Sequence, residues 1–249
     1  MAKLWSVVVV LPLILLSTLL LGLVSLAISL FGTRTAPLQI AVARFWSRCI
    51  LFIAGVKFEV EGRERLHAKG PYVFASNHLS FIDTPVVLAS IPLQFRFLAK
   101  EELFRWWPWL PIAWHLKTAG HVAVPLDDPR GSVRVLSKTA KLIEADGTSV
   151  FFFAEGGRSA DGTLRELKDG AAYIAIKAHA PLVPVALMGP REILPMGSKV
   201  IRGGRVTVRI GDPIPTDGMT LKDRGTLTEA AREQMERMLN GKASDAAVR

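Results

Sequence analysis

Apolar residues run almost without interruption through the start of the chain and recur afterwards in short blocks. No charged residue lies between Lys3 and Arg34, a stretch that contains VVVVLPLILLSTLLLGLVSLAISLF. As one helix it would be roughly 45 Å long at about 1.5 Å rise per residue, more than the roughly 30 Å hydrocarbon core of a bilayer. It can span with tilt, or break near Pro12 or Gly22 and re-enter. A secretory signal peptide has a shorter apolar region followed by a small-residue cleavage site. Here the run continues into FGTRTAPLQIAVARFWSRCILF, a second apolar stretch, so membrane attachment is expected. Within that stretch Arg44 and Arg48 share one helical face, with Phe45 and Trp46 among the apolar remainder. The pattern fits a helix lying in the membrane interface, and also a buried core helix whose arginines snorkel.

Beyond residue 56 the period changes. Strand-like blocks are KFEVE (57–61), YVFAS (72–76), FRFLA (95–99), HVAVP (121–125), VFFFA (150–154), LVPVALM (182–188) and RVTVRI (205–210). Most are apolar on both faces, as in a sheet covered by helices. Helices are expected over 84–90, 131–145, 170–179 and 225–240. The alternation predicts an α/β fold, a helix-covered sheet that is largely parallel or mixed. Two segments follow: a membrane-associated helical part over 1–56, and a globular domain over 57–249 whose motif-bearing part is 72–190. No internal repeat is present, and the closing NGKASDAAVR reads as a frayed tail.

Charge changes the picture of partners. Lysine and arginine number 31 against 22 acidic residues, a formal net charge of +9. Such a balance suits nucleic acid or an anionic membrane surface with phosphorylated substrates; the apolar N-terminus favours the membrane and argues against nucleic acid. Lys3 precedes the first run, whereas Arg34, Arg44, Arg48, Lys57, Arg63 and Arg65 follow it. The positive-inside rule then puts the body on the cytoplasmic side of the inner membrane. The single cysteine, Cys49, excludes an internal disulfide framework and sits in an apolar stretch, a poor place for a thiolate nucleophile.

Chemistry concentrates in SNHLSFID at 76–83, where an apolar strand runs into His78 and Asp83 follows. An aspartate that bonds one imidazole nitrogen fixes the tautomer and leaves the other nitrogen to take a proton. Such spacing also arises by chance, and Asp83 before Thr84 and Pro85 would serve as a helix N-cap. Both roles can coexist.

What lies downstream gives the pair its context. N-H-x-x-x-x-D is met by Asn77, His78 and Asp83. AKEELF follows around Lys100, then GHVAVPLDD, FAEGGRS at 153–159 and LVPVALMG at 182–189, with LKDG at 167–170 between the last two. In this order the set resembles the motif regions of the 1-acyl-sn-glycerol-3-phosphate acyltransferases, within the wider glycerolipid acyltransferases, over roughly Lys57 to Pro215. The resemblance implies that His78 deprotonates an acceptor hydroxyl, which attacks a thioester carbonyl directly, while Asp83 orients His78. It implies substrate contacts from Asn77, Lys100, Glu155, Gly156 and Arg158, with neither acyl-enzyme, metal nor cofactor required. The co-substrate is acyl-CoA or an acyl-loaded acyl carrier protein, and the acceptor a lysophospholipid, first of all lysophosphatidate. An arginine beside a glycine turn suits bidentate phosphate binding; Lys100 would act as a point charge. Two of the motif regions depart from the family pattern. Ala154 and Gly157 stand for the usual proline and threonine of the third region, and Pro125-Leu126 stand where the second commonly has an arginine.

The remaining histidines, His67, His115, His121 and His179, have no metal-ligand or triad spacing and read as structural or surface residues. G-x-S-x-G and a dinucleotide fingerprint are absent. RWWPWLPIAW holds Trp106, Trp107, Trp109 and Trp114. Trp114 fits a packed helix, and the other three predict a second membrane contact. Two readings compete with acyl transfer: a catalytically idle lipid-binding protein of the same fold, which would have no use for a paired base, and a phosphodiesterase or phosphatase, which would need ligands or a nucleophile the sequence does not space. Within acyl transfer, other lysolipids or glycerol 3-phosphate are alternative acceptors.

Overall fold

The structure is a computed structural model that describes residues 2–32, 35–67, 70–105 and 110–241. Its helical N-terminus comprises α1 (Ala2–Trp5), a π-helical turn (Ser6–Val10), α2 (Leu11–Ser29) and α3 (Ala36–Ile53). Then follow β1 (Val56–Glu61), β2 (Val73–Ser76), α4 (Asp83–Ser90), β3 (Phe95–Lys100) and α5 (Leu110–Thr118). The chain continues through β4 (Val122–Val124), α6 (Pro129–Asp146), β5 (Ser149–Phe153), α7 (Gly170–Lys177) and β6 (Leu182–Met188). It closes with α8 (Pro190–Ile193), β7 (Gly204–Ile210) and α9 (Arg224–Leu239).

The strands form one seven-stranded sheet in the order β1-β7-β6-β2-β5-β3-β4. Neighbours are parallel except β6 and β7. The predicted mixed, helix-covered sheet is present, and its seven strands and four predicted helices lie within two residues of their expected ends. Period-two alternation sorts the side chains. Phe74, Phe95 and Phe151 pack with α4 and α3 on one face, whereas Val73, Val150 and Phe152 pack with α6, α7 and α9 on the other. α5 was expected only around Trp114 and without bounds, because two prolines interrupt its stretch. Pro111 falls in the first turn, where a missing N–H costs nothing.

The first apolar run is helical throughout Lys3–Ser29, with no break at Pro12 or Gly22. At about 1.5 Å per residue it is roughly 40 Å long. The π-helical turn ends at Val10, two residues before Pro12, whose ring removes an N–H and crowds the preceding carbonyls. This helix and α3 are both long and apolar enough to cross a membrane. Leu15, Leu16, Leu19, Leu20 and Leu23 face outward, consistent with membrane association. Three polar side chains of α2 turn inward instead. Thr18 accepts from Trp46 Nε1 at 3.0 Å, Ser29 accepts from Trp114 Nε1 at 2.8 Å, and Ser25 lies 2.8 Å from His115 Nδ1. In an apolar setting such bonds join helices.

The compositional boundary at residue 56 is the α3–β1 junction, yet the core crosses it. Ile50, Leu51 and Ala54 share one cluster with Phe74, Val86 and Phe151. Arg44 and Arg48 part company: Arg44 donates to the carbonyls of Ile91 and Leu93 at 3.0 and 2.6 Å, just past the end of α4, while Arg48 is exposed. Trp106, Trp107 and Trp109, the predicted membrane-contacting loop, lie outside the described residues.

Candidate active site

β2 is fully buried and ends at Ser76, so the loop 77–82 emerges at the carboxyl edge of the sheet. The parallel neighbours β5, β3 and β6 end at the same edge, the usual place for ligands in open α/β sheets. His78 sits there with its side chain 19% exposed, and Asp83, the first residue of α4, is wholly buried. His78 Nδ1 lies 2.6 Å from Asp83 Oδ2. The same oxygen accepts the backbone N–H groups of Leu79 at 2.6 Å and Ser80 at 2.8 Å. Asp83 therefore folds the loop around itself and does not cap its own helix, whose N-cap is Ile82. With Nδ1–H given to a carboxylate, Nε2 is the basic nitrogen.

The imidazole is also held from below. Phe153, the last residue of β5, stacks on it with centroids 3.9 Å apart and planes 15° from parallel. Ser76 and Phe153 are register partners, which is how the ring comes to lie beneath a histidine two residues further on. The sequence reading passed over Phe153. Its signal was the alternation in SVFFF, which puts Phe151 and Phe153 on the face that carries Phe74.

Asn77 and Glu155 were expected at the substrate; both side chains are occupied by backbone. Asn77 is 2% exposed. Its Nδ2 donates to Leu187 O at 3.0 Å, and Leu187 N–H donates to its Oδ1 at 2.8 Å. The amide thus extends the β2–β6 ladder where the loop leaves the sheet. Glu155 is 3% exposed. Its two oxygens accept from His78 N at 2.7 Å and Arg165 N at 3.0 Å. Burial pushes its carboxyl above the ordinary range, opposed by these two N–H donors.

Gly156 turns the chain after β5 with φ at +70°, a conformation that side chains with Cβ resist. Ser159 N–H then donates to His78 O at 2.8 Å, tying the arginine-bearing loop to the histidine loop. Arg158 lies with Cζ 3.6 Å from the centroid of Phe81. Its Nη1 is shielded from solvent and has no hydrogen-bond partner among the described residues. Lys100 ends β3 at the same edge, about half exposed and 3.2 Å from Glu102. His78, Arg158 and Lys100 thus belong to the same carboxyl edge of the sheet, with Asp83 buried behind His78. One departure from the family pattern has a use: Ala154 N–H, which a proline would lack, donates to Ser76 O at 2.9 Å and prolongs the β2–β5 ladder. Nothing in the structure requires glycine at 157, where an added Cβ would meet only Arg165 at 3.6 Å.

Of the other described histidines, His67 and His179 are exposed, and His115 and His121 have structural places. Burial lowers His115 to about 4 and His121 to about 3, the latter helped by the neighbouring His115 and Arg96. His121 Nδ1 accepts from Phe97 N–H at 2.9 Å.

Residues 57–188 match the model of the family described as Acyltransferase. A chloroplastic 1-acyl-sn-glycerol-3-phosphate acyltransferase of Brassica napus is 37% identical over 176 residues, 70% of this chain and 49% of that protein. The 1-acyl-sn-glycerol-3-phosphate acyltransferase alpha of Homo sapiens is 27% identical over 217 residues, 87% of this chain and 76% of that one. The chain spans about half the length of the chloroplastic relative. Among solved structures, the 1-acyl-sn-glycerophosphate acyltransferase PlsC of Thermotoga maritima shares the fold, with a TM-score of 0.81 at 22% identity, covering 98% of this chain and 99% of that one.

Proposed function

The chain belongs to the acyltransferase family, and from that premise we propose that it transfers a fatty acyl group from a thioester to the sn-2 hydroxyl of 1-acyl-sn-glycerol 3-phosphate, giving phosphatidate. The observation that carries the reading is the His78–Asp83 pair, with Nδ1 engaged at 2.6 Å by a buried carboxylate. His78 Nε2 takes the proton of the acceptor hydroxyl as its oxygen bonds to the thioester carbonyl carbon. Asp83 stabilises the imidazolium so formed. The tetrahedral intermediate then breaks its C–S bond, and the departing thiolate recovers the proton from Nε2. Arg158 grips the acceptor phosphate, with Lys100 adding charge at the rim. Asn77 and Glu155 act behind them by fixing the loop. The named relatives act on 1-acyl-sn-glycerol 3-phosphate by their titles, which supports that acceptor here.

The donor is acyl-CoA or acyl carrier protein. The helices Lys3–Ser29 and Ala36–Ile53 are long and apolar enough to cross a membrane, which supports attachment to the inner membrane, and the basic residues that follow them favour a catalytic domain on the cytoplasmic side. The test is thiol release from acyl-CoA by detergent-solubilised protein given lysophosphatidate. Release should depend on the acceptor and fall by about 10²–10⁴ in His78→Ala, the usual contribution of a general base. Release unaffected by His78→Ala would sink the mechanism. Failure with every lysolipid and both donors would favour the idle lipid-binding reading.

A further inference from the structure

We propose that Phe81 is a positioning residue for headgroup recognition, whose ring holds the Arg158 guanidinium flat and turns its N–H edge toward the acceptor's phosphate. The inference rests on the reading that the acceptor carries a phosphate.

Three observations meet at this pair. Phe81 belongs to the loop between His78 and Asp83, yet its ring is 62% exposed, so burying its own surface is not its role. Arg158 Cζ stands 3.6 Å from the ring centroid, closer than the outer limit of about 6 Å for a cation–π contact. Arg158 makes no ion pair among the described residues, and Nη1 is shielded from water without a partner. A shielded donor left empty by the protein is suited to a ligand acceptor.

The geometry explains why an aromatic ring is the support. Guanidinium is planar, with all five N–H bonds in its plane. A carboxylate partner would consume that edge and cancel the charge. A ring face engages the π surface and leaves the edge open for bidentate contact with phosphate oxygens. The support also links the two halves of the site: Phe81 comes from the histidine loop and Arg158 from the glycine turn, whose next residue donates its N–H to His78 O. Phosphate and base are thereby held in one frame.

An exposed aromatic near a membrane enzyme's rim has a rival use, dipping into the bilayer. The test therefore removes the bilayer. Binding of a short-chain, monomeric lysophosphatidate to the full-length protein in detergent is measured by titration calorimetry, beside steady-state kinetics with acyl-CoA. Phe81→Leu should raise the acceptor Kd and KM by about 3- to 30-fold, the range a partly desolvated cation–π contact supports. kcat and donor KM should stay within about twofold, and Phe81→Tyr should restore the acceptor constants. The preference for the phosphorylated acceptor over the corresponding monoacylglycerol should fall by the same factor. An unchanged Kd in Phe81→Leu, or a defect seen only with vesicles, overturns the proposal. Calorimetry reads the contact whether or not turnover occurs, so a wild-type protein that binds the phosphate acceptor in a Phe81-dependent way but does not acylate it would refute the proposed reaction and leave this inference standing.

Discussion

The rear and the mouth of the site use similar residue types in opposite ways. Behind His78, the carboxylates of Asp83 and Glu155 and the amide of Asn77 are buried and bonded to backbone. At the mouth, Lys100 and Arg158 reach the rim, and Arg158 keeps a donor without a protein partner. A motif conflates these jobs, because both sets are polar and close together in sequence. Three dimensions separate them: Asp83, Asn77 and Glu155 are buried and tied to backbone N–H and C=O groups, whereas Lys100 and Arg158 stand further out, at the edge of the sheet.

The largest effect expected from breaking the frame is at Asp83. In Asp83→Asn the amide carbonyl oxygen can replace Oδ2, which accepts all three bonds. The NH₂ then takes the place of Oδ1, which has no partner among the described residues. Loop geometry survives, and the negative charge that stabilises the imidazolium is lost. kcat should fall by about 10²–10⁴ with little change in melting temperature or acceptor KM. Activity within tenfold of wild type would mean that Asp83 only shapes the loop.

Asn77→Ala tests the same comparison from the stability side. It orphans the N–H and C=O of Leu187, a residue with no exposed surface. The cost is about 1–3 kcal/mol for each buried group left unpaired, and about 2–4 °C in Tm per kcal/mol for a chain of this size. A melt in detergent should show the loss, with the acceptor KM of the remaining folded enzyme near wild type. The reverse, an intact melt with a raised KM, would return Asn77 to the substrate side of the site.

The frame was the part least legible in sequence. All seven strands could be read from their apolar blocks, since a strand's period is local. The His78–Asp83 pair could be read because its partners are five residues apart. Asn77 reaches Leu187 across 110 positions, and Glu155 reaches His78 across 77. Phe153 finds His78 only through the β2–β5 register. No periodicity carries such pairings. Hence the motif residues were legible as belonging to a site, whereas their division into frame and mouth was not. The bounds of α5 were hidden for a different reason: a proline that weakens a helix interior is harmless in the first turn, where Pro111 falls.

The smallest expected effect sharpens the frame's electrostatics. Burial raises the Glu155 carboxyl above its ordinary range, so the folded state holds a proton there at pH values where the unfolded chain has already released it. Stability therefore declines as pH rises from the usual glutamate range to the raised folded value, and protonation favours the fold. Glu155→Gln removes this titration and keeps one of the two backbone ties, the amide oxygen still accepting from His78 N–H or Arg165 N–H. Losing the other tie should cost about 1–3 kcal/mol. Superimposed on that loss, the advantage of wild type over the variant should shrink as pH rises through the window, because only wild type gives up a proton. Parallel melts of both proteins across the acid range read it directly. A gap that widens with pH would mean that the two N–H donors outweigh burial and hold Glu155 ionised in the fold.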